Sequence, residues 1–74
     1  MFNFTSMERL IELYNELISY PNTCNLNSNQ KSKVYMFIRE FNKYLPADGY
    51  KNTICGRYTI LNHAKRYLEK HGKL

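Results

Sequence analysis

Residue types that often betray a function are scarce in this chain. Its 74 residues include two cysteines, two prolines and three glycines, and six acidic side chains stand against eleven Lys and Arg. With so little Gly and Pro, and with 43% hydrophobic and 15% aromatic residues, wholesale disorder is excluded. No run approaches the ~18–20 consecutive apolar residues of a membrane span. Glu8 and Arg9 interrupt the amino-terminal stretch too early for a secretory leader. A cytoplasmic protein of bacterial, phage or viral type is therefore expected, with Cys24 and Cys55 as reduced thiols. A single disulfide in an exported domain is the alternative. The length allows one small domain over 1–74, without a second core or an enclosed active-site cleft.

Catalytic signatures are missing as well. The sequence holds no phosphate loop, G-x-S-x-G, H-E-x-x-H or dinucleotide fingerprint. Glu8, Glu12 and Glu16 follow one another at four-residue steps, which makes an acidic ribbon opposite an apolar stripe. Carboxylates on such a solvated face lack the burial that tunes them for acid–base work. Neither an enzyme nor a cofactor is expected. Cys24, Cys55, His63 and His71 supply four zinc ligands on paper, but no two lie closer than eight residues. Structural zinc sites need close ligand pairs, so no metal is expected.

What is present is helical periodicity. Met7, Leu10, Ile11, Tyr14, Leu17 and Ile18 recur at three- and four-residue steps, with Thr5 and Glu8 forming a capping box and Pro21 beyond the end. Val34, Phe37, Ile38, Phe41 and Leu45 form a second stripe, capped by Asn27 or Ser28 and stopped at Pro46, after which Ala47-Asp48-Gly49 reads as a turn. Ile60, Leu61, Ala64, Tyr67 and Leu68 form a third, ended by Gly72 as a left-handed cap. The third helix can begin near Asn52 or Thr53, or at Thr59. Extending its period back to Ile54 and Arg57 favours the earlier start. The expected fold is an all-α three-helix bundle, about 5–20, 28–45 and 53–71, with an irregular loop around 46–52.

Charge is segregated along the chain. Residues 1–20 carry three Glu and one Arg, a net of −2, while residues 21–74 carry ten basic and three acidic groups, a net of +7. On a helical wheel His63, Arg66, Lys70 and Lys73 turn away from the third apolar stripe, with Lys65 further round. Lys33, Met36, Arg39 and Lys43 turn outward on the second helix. Lys51 and Arg57, interleaved with Tyr50 and Tyr58, add to the third helix's basic groups. Basic groups among tyrosines suit phosphate contacts, and Asn62, His63 and Arg66 are candidate base readers. The expected partner is DNA or RNA, with Lys51, Arg57, His63, Lys65, Arg66, Lys70 and Lys73 as the nucleic-acid-binding set. A protein-binding module that docks through Glu8, Glu12 and Glu16 is the alternative. Phe2, Phe4, Tyr20, Tyr35, Tyr44, Tyr50 and Tyr58 exceed what so small a core requires, which fits an interface or a homodimer.

One stretch carries a resemblance. Phe37 through Tyr44-Leu45, then Gly49, then Asn52-Thr53-Ile54, then Tyr67-Leu68 and Gly72, resembles part of the SAM-like core-binding domain of tyrosine recombinases and phage integrases. The resemblance implies a third helix beginning near Thr53, with Arg57, Lys65 and Arg66 on its DNA-facing side. It covers about half the chain, and Met7 to Tyr20 has no counterpart in that domain. It implies a small DNA-associating module and no recombinase activity.

Overall fold

A computed structural model describes residues 6–46 and 49–74, with Ser6 described through its backbone alone. Thr5, Phe2, Phe4, Ala47 and Asp48 lie outside the described residues, and with them the Thr5–Glu8 capping box and most of the expected turn. The protein is an all-α three-helix bundle: α1 (Ser6–Leu17), α2 (Ser28–Asn42) and α3 (Arg57–Lys70). Among the described residues there is no strand, and no helix is long and apolar enough to cross a membrane.

The bundle closes around Leu10, Leu13, Tyr14 and Leu17 of α1, Val34, Phe37, Ile38 and Phe41 of α2, and Ile60, Leu61, Ala64 and Leu68 of α3. These positions step by three and four, so each helix contributes one continuous apolar stripe. α1 and α2 make the most extensive helix pair. Two expectations shift at the end of α1. Leu13 is core, while Ile18 is 55% exposed. The reason is helical phase: the Ile18 amide still donates four residues back to Tyr14, which leaves Ile18 about 100° round from Leu17 at the edge of the stripe. The tighter three-residue bonds of the Ser19 and Tyr20 amides to Glu16 and Leu17 come only after it. Met36, expected outward, instead packs half-buried against the core.

Caps set the remaining helix ends. The Asn27 side chain accepts from the Gln30 amide at 2.8 Å, and Gln30 Oε1 accepts from the Asn27 amide at 3.1 Å. This reciprocal box satisfies two donors that helix geometry leaves orphaned. α3 ends in a Schellman motif. Gly72 has φ +69°, its amide donates to Glu69 O at 3.0 Å, and the Lys73 amide donates to Leu68 O at 2.9 Å. α2 stops at Asn42, short of the expected Leu45, and tightens through Tyr44 N–Phe41 O and Leu45 N–Asn42 O bonds before Pro46.

The start of α3 corrects the sequence reading most. It begins at Arg57, neither at Thr53 nor at Thr59. Gly56 is the cap residue and offers no side chain, while Thr53 Oγ1 accepts from the Gly56 amide at 3.2 Å. The turn through 54–56 is held from outside by two fastenings. Cys24 and Cys55 are disulfide-bonded, with Cα atoms 4.8 Å apart at a sequence separation of 31. The expectation of free thiols is thereby overturned, because the α1–α2 connection returns to the foot of α3.

Arg57 is the second fastening. It is 1% exposed, which makes it the largest fully buried side chain. Nη1 donates to Thr23 O at 2.9 Å and to Ile54 O at 2.6 Å. Nη2 donates to Pro21 O at 2.7 Å and to the Tyr58 hydroxyl at 2.9 Å, and the guanidinium lies 4.7 Å from the Tyr58 ring centre. Pro21 and Thr23 sit in a connection whose carbonyls have no helix or sheet ladder to join. A planar fork of donors answers them at once, and lysine has no such fork. A cation at the first position of a helix opposes the helix dipole, so burial against these carbonyls must outweigh that cost.

Candidate nucleic-acid interface

An open cleft of about 420 Å³ lies between α3 and the segment that precedes it, lined by Tyr50, Thr59, His63, Arg66, Tyr67 and Lys70. Five of the six are on α3 at steps of three and four, so the cleft runs along one side of that helix. Tyr50 supplies the facing wall, and the sequence fixes its position in three ways. Asn42, the last residue of α2, accepts from the Tyr50 amide at 2.8 Å and donates to the Tyr50 carbonyl at 2.9 Å. Gly49 is required here, since a Cβ at that position would collide with the Asn42 side chain. The Tyr50 ring lies near-parallel over Phe41, at 6.2 Å and 15°, and its hydroxyl hydrogen-bonds His63 Nδ1.

Phe41 is the hub beneath the cleft. His63 and Tyr67 meet its ring edge-on at 5.3 Å and 5.8 Å. Tyr67 also lies 4.4 Å from the His71 ring and 5.8 Å from Tyr44. The aromatic lining is thus anchored to the core, while the cations at the lip are not. Arg66 and Lys70 are exposed, and among the described residues neither has an acidic partner. Every salt bridge among the described residues lies elsewhere: Arg9–Glu40 at 3.8 Å, Lys33–Glu16 at 3.9 Å and Lys43–Glu40 at 3.1 Å.

Of the nucleic-acid-binding set read from sequence, the structure brings together His63, Arg66 and Lys70. Lys73 is exposed just past the end of α3, and Lys51 is exposed beside Tyr50. Lys65 is exposed about 100° round the helix from Arg66, away from the cleft. Arg57 is a correction. Its donors face backbone carbonyls inside the fold, so it is no part of an exposed DNA-facing side. Thr59 and Tyr67 were missed as site residues, although their spacing from His63 and Arg66 already placed them on that side.

The acidic ribbon is only partly solvated. Glu8 and Glu12 are exposed, but Glu16 is half-buried, pairs with Lys33, and accepts from the Tyr20 hydroxyl at 2.6 Å. Burial, with the hydrogen bond and negative charge of Glu16, pushes the Tyr20 phenol up to about 12. The ribbon's carboxyl-terminal member therefore serves the fold. Among the described residues no group of His, Cys, Asp and Glu is arranged to hold a metal ion. Comparison with protein-family models, curated proteins and solved structures finds no match to this chain.

Proposed function

We propose that the protein is a nonenzymatic nucleic-acid-binding helical module whose interface is the cleft side of α3. One observation carries this reading. Among the described residues Arg66 and Lys70 have no acidic partner, and they stand exposed over a cleft walled by Tyr50, His63 and Tyr67, which joins free cations to an aromatic lining at one place. Guanidinium and ammonium groups so placed bind phosphates and release condensed counterions, which supplies sequence-independent affinity. Lys73 extends the cationic line beyond the helix end, and Lys51 extends it past Tyr50.

The Cys24–Cys55 bond bears on where this takes place. Disulfides persist in oxidising settings, so the bond favours a periplasmic, extracellular or virion-associated protein over a resident of the reducing cytosol. The test uses the oxidised protein and a labelled oligonucleotide in fluorescence anisotropy. With about three phosphate contacts, affinity should fall at least about tenfold between 50 and 200 mM salt. No binding at the lower salt would refute the reading.

A further inference from the structure

The geometry points to a single-stranded partner: the cleft takes one unstacked nucleotide, its base against the tyrosine walls and its phosphate on Arg66 and Lys70. This rests on the nucleic-acid reading above and goes beyond it by naming the strand state. A phosphate alone needs only the two cations. The cleft beneath them, about 420 Å³, falls within the range of small-ligand sites. Its lining is aromatic where a base would lie. Tyr50 lines it with its ring backed on Phe41, and Tyr67 lines it with its ring held edge-on to the same residue. Rings held by the core lose little freedom when a base stacks on them, and every base offers a flat face.

Polar groups for a base edge are present too. His63 Nδ1 is engaged by the Tyr50 hydroxyl, which leaves Nε2 as the ring nitrogen without a partner among the described residues, and Thr59 is exposed in the same lining. A duplex keeps its bases paired and stacked. It could rest its backbone on Arg66 and Lys70 but would leave the cleft empty. A concave, aromatic-walled site beneath cations therefore selects a strand whose bases are free.

The test compares a mixed-sequence single strand of about 12 nucleotides with its own duplex, in anisotropy at low salt. The single strand should bind at least about fivefold tighter, as one base–aromatic stack allows. Tyr50→Leu keeps every charge and should erase that preference, while Tyr50→Phe keeps the ring and should retain it. A 2-aminopurine placed in the single strand should change in fluorescence on binding to the wild-type protein, which reads stacking without any variant. Equal affinity for both strand states, with no fluorescence change, would overturn the inference and leave phosphate binding standing. Failure of both to bind would instead remove the nucleic-acid reading itself.

Discussion

Arg57 and Arg66 are the same residue type, nine positions apart on one helix, and they do opposite things. Arg57 is buried at the foot of α3, with its donors on Pro21, Thr23 and Ile54 carbonyls and its neighbour Cys55 bonded to Cys24. Arg66 is exposed in the carboxyl-terminal half of the same helix, over a cleft and, among the described residues, without an acidic partner. One end of α3 is fastened twice, and the other presents free cations. The lesson is that a charge run on a helix is not one object. Where the surrounding backbone leaves carbonyls unmet, a cation becomes part of the core, and where it leaves only water, the cation remains available for a ligand.

The comparison breaks first at Arg57. Arg57→Ala removes the largest buried side chain and takes its donors from the Thr23 and Ile54 carbonyls, while Pro21 O keeps the Thr23 amide, so unfolding should become easier by about 3–5 kcal/mol in a denaturant titration. In a domain of this size that leaves little folded protein. Arg57→Lys should recover only part of the loss, because an ammonium cannot reach all the acceptors of a planar fork. Wild-type-like stability in the alanine variant would show that the burial of Arg57 is incidental.

The disulfide comes next. Closing a loop across 31 residues constrains the unfolded chain by about 3–4 kcal/mol in the chain-entropy account. Reduction, or the pair Cys24→Ser with Cys55→Ser, should therefore lower stability by about 2–4 kcal/mol. At temperatures where the reduced protein is still folded, oligonucleotide affinity should be unchanged, because the cleft lies on the side of α3 turned away from the core-facing Arg57. A loss of affinity without loss of helicity would mean the two regions are coupled.

The smallest effect sharpens the contrast from α1. The folded state holds the Tyr20 phenol at about 12, above its ordinary 10, so the protonated form is favoured by folding. The stability this supplies is complete below pH 10 and is lost as pH rises through 12. Measured against Tyr20→Phe, the wild-type protein should lose stability in that window, while near neutral pH the variant should differ by about 1 kcal/mol or less. Parallel alkaline profiles for the two proteins would rule the Tyr20–Glu16 bond out as a contributor.

Much of the fold was legible in local patterns. The Asn27–Gln30 box, the Gly72 cap and the three apolar stripes depend on residues close in sequence, and they lie where those residues placed them except at the edges, where Leu13 replaces Ile18 in the core and Met36 turns inward. The beginning of α3 was not legible, because it is fixed by partners more than thirty residues away. Arg57 did fall on the apolar stripe of Ile60, Leu61, Ala64 and Leu68, a signal that it faces inward. Its charge suggested the reverse. Leu26, buried in the connection before α2, carries no periodic signal at all. The cysteine pair was hidden for a different reason: redox expectation comes from compartment, whereas proximity comes from the path of the backbone. In the cleft, His63, Arg66 and Lys70 were readable from the helical wheel. Tyr50 could be named only as a surplus aromatic, since its place depends on Asn42 gripping its backbone across a turn.

The division of α3 into a fastened foot and a binding side is tested most directly by the salt dependence of oligonucleotide affinity in wild type and in Arg66→Ala with Lys70→Ala. Stability should stay within about 0.5 kcal/mol of wild type, since both side chains are exposed and neither has an ion-pair partner among the described residues. Affinity should fall more than about tenfold, and the slope of log affinity against log salt should become shallower by about 1.4–1.8 as two phosphate contacts disappear. An unchanged slope and affinity in a fully folded double variant would contradict the account.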